Sequence, residues 1–446
     1  MAQISPARKA AFEILRILER GQAHSDDLLR GRAVSALAPQ DRHLATALVL
    51  GVLRWQLELD HLLHPLLKRP NAKLDPEVTI ALRLGAFQLL HLDRIPPHAA
   101  IDESVELTKQ SGHHFASAMV NAVLRKLAAP PATGVSSTAT VPLETHAYPP
   151  WMRDRWESFF GAEVARAICM HGQSQPAIAL RMGDSSVEDE LVQEGISLAP
   201  GALLTAARIV LSGDITGTEA FRKGRVRIQD EGSQLIAEIA GQGSHILDCC
   251  AAPGGKTLIL AERNPHARVV ACESSPQRLE AMRKRLSPLA DRVEYRLADA
   301  TELADQSIYD LVLADVPCSG TGTLGRNPEI RHRLKLEEFA RQAERQIAIL
   351  DRATHAAQSG GRVVYSTCSL EPEENEQVIS AVLHRHANAR VIPLGALIEE
   401  MRAAGIVSTA GAEKLQTCIT PEGYLRLFPG AAGTDGFFAA MLEKSA

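Results

Sequence analysis

The sequence contains no Cys-x-x-Cys pair, and its seven cysteines (169, 249, 250, 272, 318, 368 and 418) are odd in number. The first absence argues against a zinc site and the second against a secreted disulfide framework, so free thiols in a reducing compartment are expected. No stretch approaches the ~18 apolar residues of a membrane span. The opening Met1-Ala2-Gln3-Ile4-Ser5 runs into a charged amphipathic segment without the apolar core of a signal peptide. A cytoplasmic protein with no metal and no membrane association is expected. Aromatics are only 4% of the chain. Stacking platforms for bases are therefore few, and any nucleic acid must be held mainly through its backbone, with strong salt dependence. Excess positive charge is also missing, since the formal net charge is −5.

That charge is unevenly spread. Residues 1–130 carry 16 Lys+Arg against 13 Asp+Glu, and half of the 16 histidines. This is a mild hint of RNA contact that solvated helix faces explain equally well. At 446 residues, 45% hydrophobic and 23% charged, the chain reads as an ordinary globular protein of two or three domains. No internal repeat suggests a solenoid, and a monomer is expected.

Apolar residues recur at helical spacing over 7–18, 44–63 and 80–92. Gly21, Pro39, the prolines at 65 and 70, and Pro96-Pro97 break the pattern, while Ser5-Pro6 and Asp75-Pro76 supply start signals. Residues 1–130 thus predict an all-α bundle of six to eight helices. The segments Asp41-Arg42, Gly51-Val52-Leu53-Arg54-Trp55, Ala81–Leu90 and Val120-Asn121-Ala122-Val123-Leu124-Arg125 resemble the NusB family of RNA-binding helical domains. The resemblance implies RNA binding; periodicity shows only a bundle, and each arginine is equally readable as half of an ion pair. Residues 131–141, small and polar and opening on Pro131, read as a linker. Residues 142–235 read as a small α+β adaptor, with a helix around 152–170 and strands near 177–182 and 208–212.

From 236 to 446 the pattern alternates. Strands are expected at 245–249, 268–273, 293–297, 309–315 and 362–367, with helices including 275–286 and 337–357. That order predicts an α/β Rossmann-like, mostly parallel, doubly wound sheet, which binds ligands at the carboxyl ends of its strands. The loop Asp248-Cys249-Cys250-Ala251-Ala252-Pro253-Gly254-Gly255-Lys256-Thr257 lies at such an end. It lacks the first glycine of a P-loop, where Cys250 stands, and also lacks Gly-x-Gly-x-x-Gly. Gly254 and Gly255 instead permit a tight turn whose helix-start amides meet a cofactor carboxylate, as S-adenosyl-L-methionine carries. Glu273, ending the second strand, is suited to ribose hydroxyls, and Asp299, beyond the third, to an adenine amino group. Lys256 is expected to contact either the cofactor or a catalytic acid.

Two thiols complete the pattern. Cys318 in Asp315-Val316-Pro317-Cys318-Ser319-Gly320 and Cys368 in Thr367-Cys368-Ser369 each leave a strand into a polar turn on the cofactor side. A helix opening near Pro372 would favour a thiolate at Cys368. The other four cysteines outside the glycine loop's Cys250 (169, 249, 272 and 418) read as small core residues. A thiolate adding to carbon 6 of cytosine makes carbon 5 nucleophilic enough to take a methyl group, with an acid such as Asp315 at ring nitrogen 3. The pattern therefore points to methyl transfer onto carbon 5 of an unstacked pyrimidine.

The stretches Asp248–Thr257, Ala314–Gly322, Tyr365–Glu376 and Gly433-Thr434-Asp435-Gly436-Phe437-Phe438 resemble the RNA cytosine-5 methyltransferases, and with the helical N-terminus their bacterial Sun/RsmB type. The resemblance implies methylation of 16S ribosomal RNA, with Cys368 as nucleophile and Cys318 assisting release. It implies cofactor contacts at Cys250, Ala251, Ala252, Pro253, Gly254, Gly255, Lys256, Glu273, Asp299 and Asp315. Val226–Gln234 resembles the family stretch before the glycine loop. One departure stands out: His-Pro-Asp-Ile-Lys-Trp, frequent in the family, is replaced by Asn327-Pro328-Glu329-Ile330-Arg331-His332, and Arg and Lys are not interchangeable at a close contact. A transfer RNA methyltransferase and a non-catalytic RNA-binding assembly factor are the alternatives.

Overall fold

The computed structural model describes residues 4–21, 23–70, 73–129, 147–183, 186–289 and 291–445. The expected linker at 131–141 lies outside the described residues. Contacts divide the chain into two compact units, Met1–Gln175 with Leu324–Arg333, and Pro176–Thr323 with Leu334–Ala446.

The first unit is helical. Pro6–Glu19, Pro39–Leu63, Pro76–His91, Pro97–Gln110 and Ser117–Ala128 each place one apolar face in a shared core of Phe12, Leu48, Val52, Leu84, Phe87 and Leu124. Proline opens the first four of these helices, where its missing N–H costs nothing. Ser5 and Asp75 stand at the expected N-caps but cap nothing through their side chains. The Ser5 amide and hydroxyl both donate to Glu103 Oε2, at 2.7 and 2.8 Å. Of the arginines singled out in the sequence, Arg83 binds Asp60 through two hydrogen bonds of 2.8 and 2.7 Å. Arg54 is buried with Nη2 on the Gly325 carbonyl at 2.8 Å, and Arg125 donates to Asn121 at 3.0 Å.

Two further helices, Pro150–Phe160 and Ala162–Gln173, belong to this unit. The single helix expected over 152–170 is broken at Gly161, whose φ of +83° ends the first segment. Segment Leu324–Arg333, from far down the chain, also belongs here, and Arg331 is its centre. Its guanidinium lies 4.0 Å from the Tyr148 ring centroid and donates to the carbonyls of Ala147 (3.1 Å), Gly172 (3.1 Å) and Leu324 (3.2 Å). At 1% exposure Arg331 is an interior strut.

The second unit contains two sheets. β1 (Ile178–Met182), β2 (Ser197–Pro200), β3 (Ala207–Ser212) and β4 (Val226–Ile228) form an antiparallel sheet in the order β2-β3-β1-β4. The larger sheet runs β10-β12-β9-β8-β5-β6-β7, with β11 paired to β12. Its members are β5 (His245–Asp248), β6 (Arg268–Glu273), β7 (Val293–Leu297), β8 (Tyr309–Asp315), β9 (Ala357–Thr367), β10 (Ala389–Ile392), β11 (Leu425–Leu427) and β12 (Phe437–Lys444). β5 to β9 pair in parallel, whereas β12 pairs antiparallel with β9, β10 and β11. Alternate residues of the parallel strands enter opposite cores: Ile246, Val269 and Leu311 one, Leu247, Val270 and Val312 the other. Burial on both faces is what makes these strands continuous apolar runs. Among the described residues no helix is long and apolar enough to cross a membrane.

Candidate active site

The carboxyl ends of β5, β6, β8 and β9, with the turn beyond β7, surround a cleft of about 270 Å³. Cys250, Ala252, Glu273 and Asp299 line one part of it, and Asp315, Pro317, Cys318 and Cys368 another. The sheet thus gathers into one cavity residues separated by more than a hundred positions.

The glycine loop follows β5. Gly254 has φ +95°, and a Cβ there would come within 2.9 Å of Met282. No other residue fits without strain, and the helix Gly255–Arg263 begins directly after it, its first amides unpaired by helix geometry. Glu273 at the end of β6 is 4% exposed and accepts from the Ser275 amide at 2.8 Å, with Arg278 3.4 Å away. Asp299 receives the Thr301 amide and hydroxyl at 2.9 and 2.8 Å, which hold its carboxyl below the usual range. This donor set, with amides at a helix start and two carboxylates along one wall, fits a zwitterionic nucleoside such as S-adenosylmethionine.

Asp315 ends β8. Lys256 donates to its Oδ2 at 2.7 Å and Ser366 to its Oδ1 at 2.7 Å; of the two contacts expected for Lys256, the one to the acid is made. Burial opposes the Lys256 charge, but Asp315 and then Cys368 outweigh it and raise its pKa. Behind this pair, Asp248 is buried, with Oδ2 bound by Thr257 at 2.7 Å. Burial, with Asp315 adding, pushes its carboxyl up to about 7 against the Thr257 hydrogen bond.

A pH prediction follows for Asp248. A carboxyl whose folded pKa lies above its unfolded value contributes stability that is complete below about pH 4 and lost as pH rises to about 7. Asp248→Asn should therefore gain on wild type across that window, by a few kcal/mol at ~1.4 kcal/mol per pKa unit, and gain nothing more above it. Urea unfolding at pH 4.5 and pH 8 measures this. An unchanged difference between the two would mean an ordinary aspartate.

The two thiols meet, with Cys318 Sγ 3.3 Å from Cys368 Sγ. Burial and the hydrogen bond to Cys368 are among the influences that raise the Cys318 pKa well above the ordinary thiol value. The loops carrying them are tied together by backbone, since the Gly322 amide donates to the Cys368 carbonyl and the Gly436 amide to the Gly322 carbonyl, both at 2.8 Å. A Cβ on Gly322 would lie 2.5 Å from the Gly436 oxygen, so only glycine admits the three strands of chain at this point. Of the cysteines read as core, Cys169, Cys249 and Cys272 are buried and Cys418 is half-buried.

Sequence reasoning missed three contributors. Arg278 and Arg345 line the cleft. Glu374, wholly buried, accepts from the Ser319 amide at 2.8 Å, from Gln346 Nε2 at 2.9 Å, and from the hydroxyls of Ser319 and Ser369. A signal for this network existed, because Gln346 interrupts the apolar stripe Phe339, Ile349, Leu350, Ala353 of the helix Leu336–Ala356, where an unpartnered amide would be costly. Elsewhere in this unit, Asp351, His355 and His386 bring potential ligand atoms within 4.8 Å of one another; they take no part in the cleft.

The family model "16S rRNA methyltransferase RsmB/F" matches residues 239–443, and the NusB family model matches residues 5–129. The "Probable ribosomal RNA small subunit methyltransferase B" of Bacillus subtilis is 33% identical over 98% of both chains. The "Ribosomal RNA small subunit methyltransferase B" of Pseudomonas syringae pv. tomato is 32% identical over 98% of this chain and 97% of its own. Among solved structures, PH0851 shares the fold with a TM-score of 0.79 at 22% identity, over 99% of this chain and all of that one. NSun6 from Pyrococcus horikoshii shares it with a TM-score of 0.56 at 19% identity, over 67% of this chain and 99% of that one. With a NusB-family helical bundle, a cleft at the sheet's carboxyl edge and full-length relatives at this identity, the chain belongs to the S-adenosylmethionine-dependent RsmB/F family of 16S rRNA methyltransferases.

Proposed function

We propose that this protein methylates carbon 5 of one cytosine in 16S ribosomal RNA through a covalent Cys368–cytosine adduct. The observation that carries this reading is the pair of sulfurs 3.3 Å apart, opening with Asp315 onto the cleft that Glu273 and Asp299 also line. A methyltransferase acting on a nucleophilic nitrogen has no need of a thiol, whereas carbon 5 of cytosine must be activated by addition at carbon 6.

The proposed roles are separable. The Cys368 thiolate forms the bond to carbon 6, and charge moving onto ring nitrogen 3 is met by a proton from the Asp315–Lys256 pair. S-adenosylmethionine, held by Cys250–Lys256, Glu273 and Asp299, supplies an electrophilic methyl group. A base then takes the proton from carbon 5, the bond from Cys368 to carbon 6 breaks, the sulfur leaves as thiolate and ring nitrogen 3 returns its proton to the Asp315–Lys256 pair; Cys318 assists this release. The target base must be unstacked to reach both sulfurs. The NusB-family unit is assigned to RNA contact.

Incubation of the protein with methyl-labelled cofactor and purified 16S ribosomal RNA should place label at one cytosine as 5-methylcytosine, with transfer RNA unlabelled. Label on transfer RNA alone would transfer the chemistry to that substrate. Label on an exocyclic amine or a ribose would end the adduct mechanism.

A further inference from the structure

Two equivalent thiols at van der Waals distance pose a problem of choice. Only one can be the thiolate, and the hydrogen bond between them has a direction. The surroundings of the pair are asymmetric. Glu374 leans to the Cys318 side: its carboxylate takes both the amide and the hydroxyl of Ser319, next to Cys318, but only the hydroxyl of Ser369, next to Cys368. It is fully buried, and the amide of Gln346, which can only donate through Nε2, fixes it further while also holding the Pro317 carbonyl at 2.9 Å. The prolyl and seryl neighbours of Cys318 are thus both anchored to one Glu374–Gln346 unit. On the Cys368 side stands the Lys256 ammonium, paired with Asp315 at 2.7 Å and close enough for Cys368 to act on its charge.

We propose that Glu374 is a positioning residue that assigns the two sulfurs their roles: its buried carboxylate, fixed on the Cys318 loop, makes Cys318 the hydrogen-bond donor and Cys368 the acceptor. Negative charge beside Cys318 opposes its ionisation, and Glu374 is among the groups that raise its pKa, after the Cys368 hydrogen bond, burial and the Cys368 charge. Glu374 is itself buried, so its charge is screened less than a surface carboxylate's. A thiol held neutral and pointed at its neighbour stabilises that neighbour as thiolate, as hydrogen bonds to a charged form do. The other charged or titratable groups facing the pair are Asp315, Lys256 and the phenol of Tyr365, which donates to the Glu374 carbonyl at 2.5 Å and is itself pushed up by burial.

The names nucleophile and release residue rest on the function proposed above, but the order of ionisation does not, and alkylation in the absence of RNA measures it alone. Both sulfurs border the cleft and are partly exposed, so limiting iodoacetamide reaches both, and mass spectrometry of the peptides counts each. Wild type is expected to be carbamidomethylated at Cys368 at least tenfold ahead of Cys318 at pH 8, with the ratio falling towards one in Glu374→Gln. Gln346→Leu, which removes one of the donors that hold the carboxylate and leaves the carboxylate in place, should give an intermediate ratio and serves if Glu374→Gln melts early. A merely structural Glu374 would alter melting and leave the ratio of the folded fraction unchanged. That result, or preferential labelling of Cys318 in wild type, overturns the proposal. Loss of RNA methylation with the ratio intact would instead count against the proposed function.

Discussion

Cys368→Ala should reduce RNA methylation below detection and form no RNA adduct, whereas Cys318→Ala should form the adduct and fail to clear it. The expectation rests on the geometry of addition and release. Removing Cys368 removes the sulfur that must bond carbon 6, and the sulfur that remains 3.3 Å from its place belongs to Cys318, the residue assigned to release. Removing Cys318 leaves that sulfur, the Asp315–Lys256 pair and the cofactor wall in place, so addition proceeds and elimination stalls. Denaturing gels with labelled ribosomal RNA distinguish the two: a slow-migrating band that survives denaturant in Cys318→Ala only. A band appearing only with Cys368→Ala would reverse the assignments.

The largest effect on stability is expected at Arg331→Met. The substitution keeps most of the side-chain volume over the Tyr148 ring but removes the donors to Ala147, Gly172 and Leu324. Each buried carbonyl left without a partner costs roughly 1–3 kcal/mol, so the three together set a loss of roughly 3–9 kcal/mol, reduced by the credit for no longer burying a charge. The readout is built into the chain, because its three tryptophans, Trp55, Trp151 and Trp156, all lie in the helical unit. Urea unfolding followed by tryptophan fluorescence should shift to lower denaturant, while S-adenosylhomocysteine binding in the absence of urea persists. A change under ~1 kcal/mol would show that water replaces the guanidinium without penalty.

The parallel half of the sheet was legible because its strands are buried on both faces and read as unbroken apolar runs; β6, β7 and β8 begin and end where the sequence puts them. β12 and its antiparallel partners β10 and β11 were not, since Phe437–Lys444 pairs with chain far away and carries no turn signal linking it to β9. The residues whose chemistry names them, Cys318, Cys368, Asp315, Glu273 and Asp299, converge on one cleft. Glu374 escaped notice because a glutamate in Glu371-Pro372-Glu373-Glu374-Asn375-Glu376 looks like solvated charge, and only tertiary packing buries two of the four, Glu371 and Glu374. Arg331 escaped because nothing local reveals the carbonyls of Ala147 and Gly172, far back in the chain, that receive it. Periodicity reports which face of an element is apolar, but not which polar group is carried inside with it.

The membership of Leu324–Arg333 in the helical unit has a consequence for the order of events at the ribosome. Helices up to Gln173 emerge early, yet the piece that fills their interior is synthesised roughly 160 residues later. At ~5–20 residues per second, that is a wait of roughly 8–30 s. During that interval Tyr148 and the carbonyls of Ala147 and Gly172 lack the side chain that completes them. The N-terminal half of this protein is therefore unfinished until most of the catalytic half has been made, and a ribosome stalled between these points would display an open bundle.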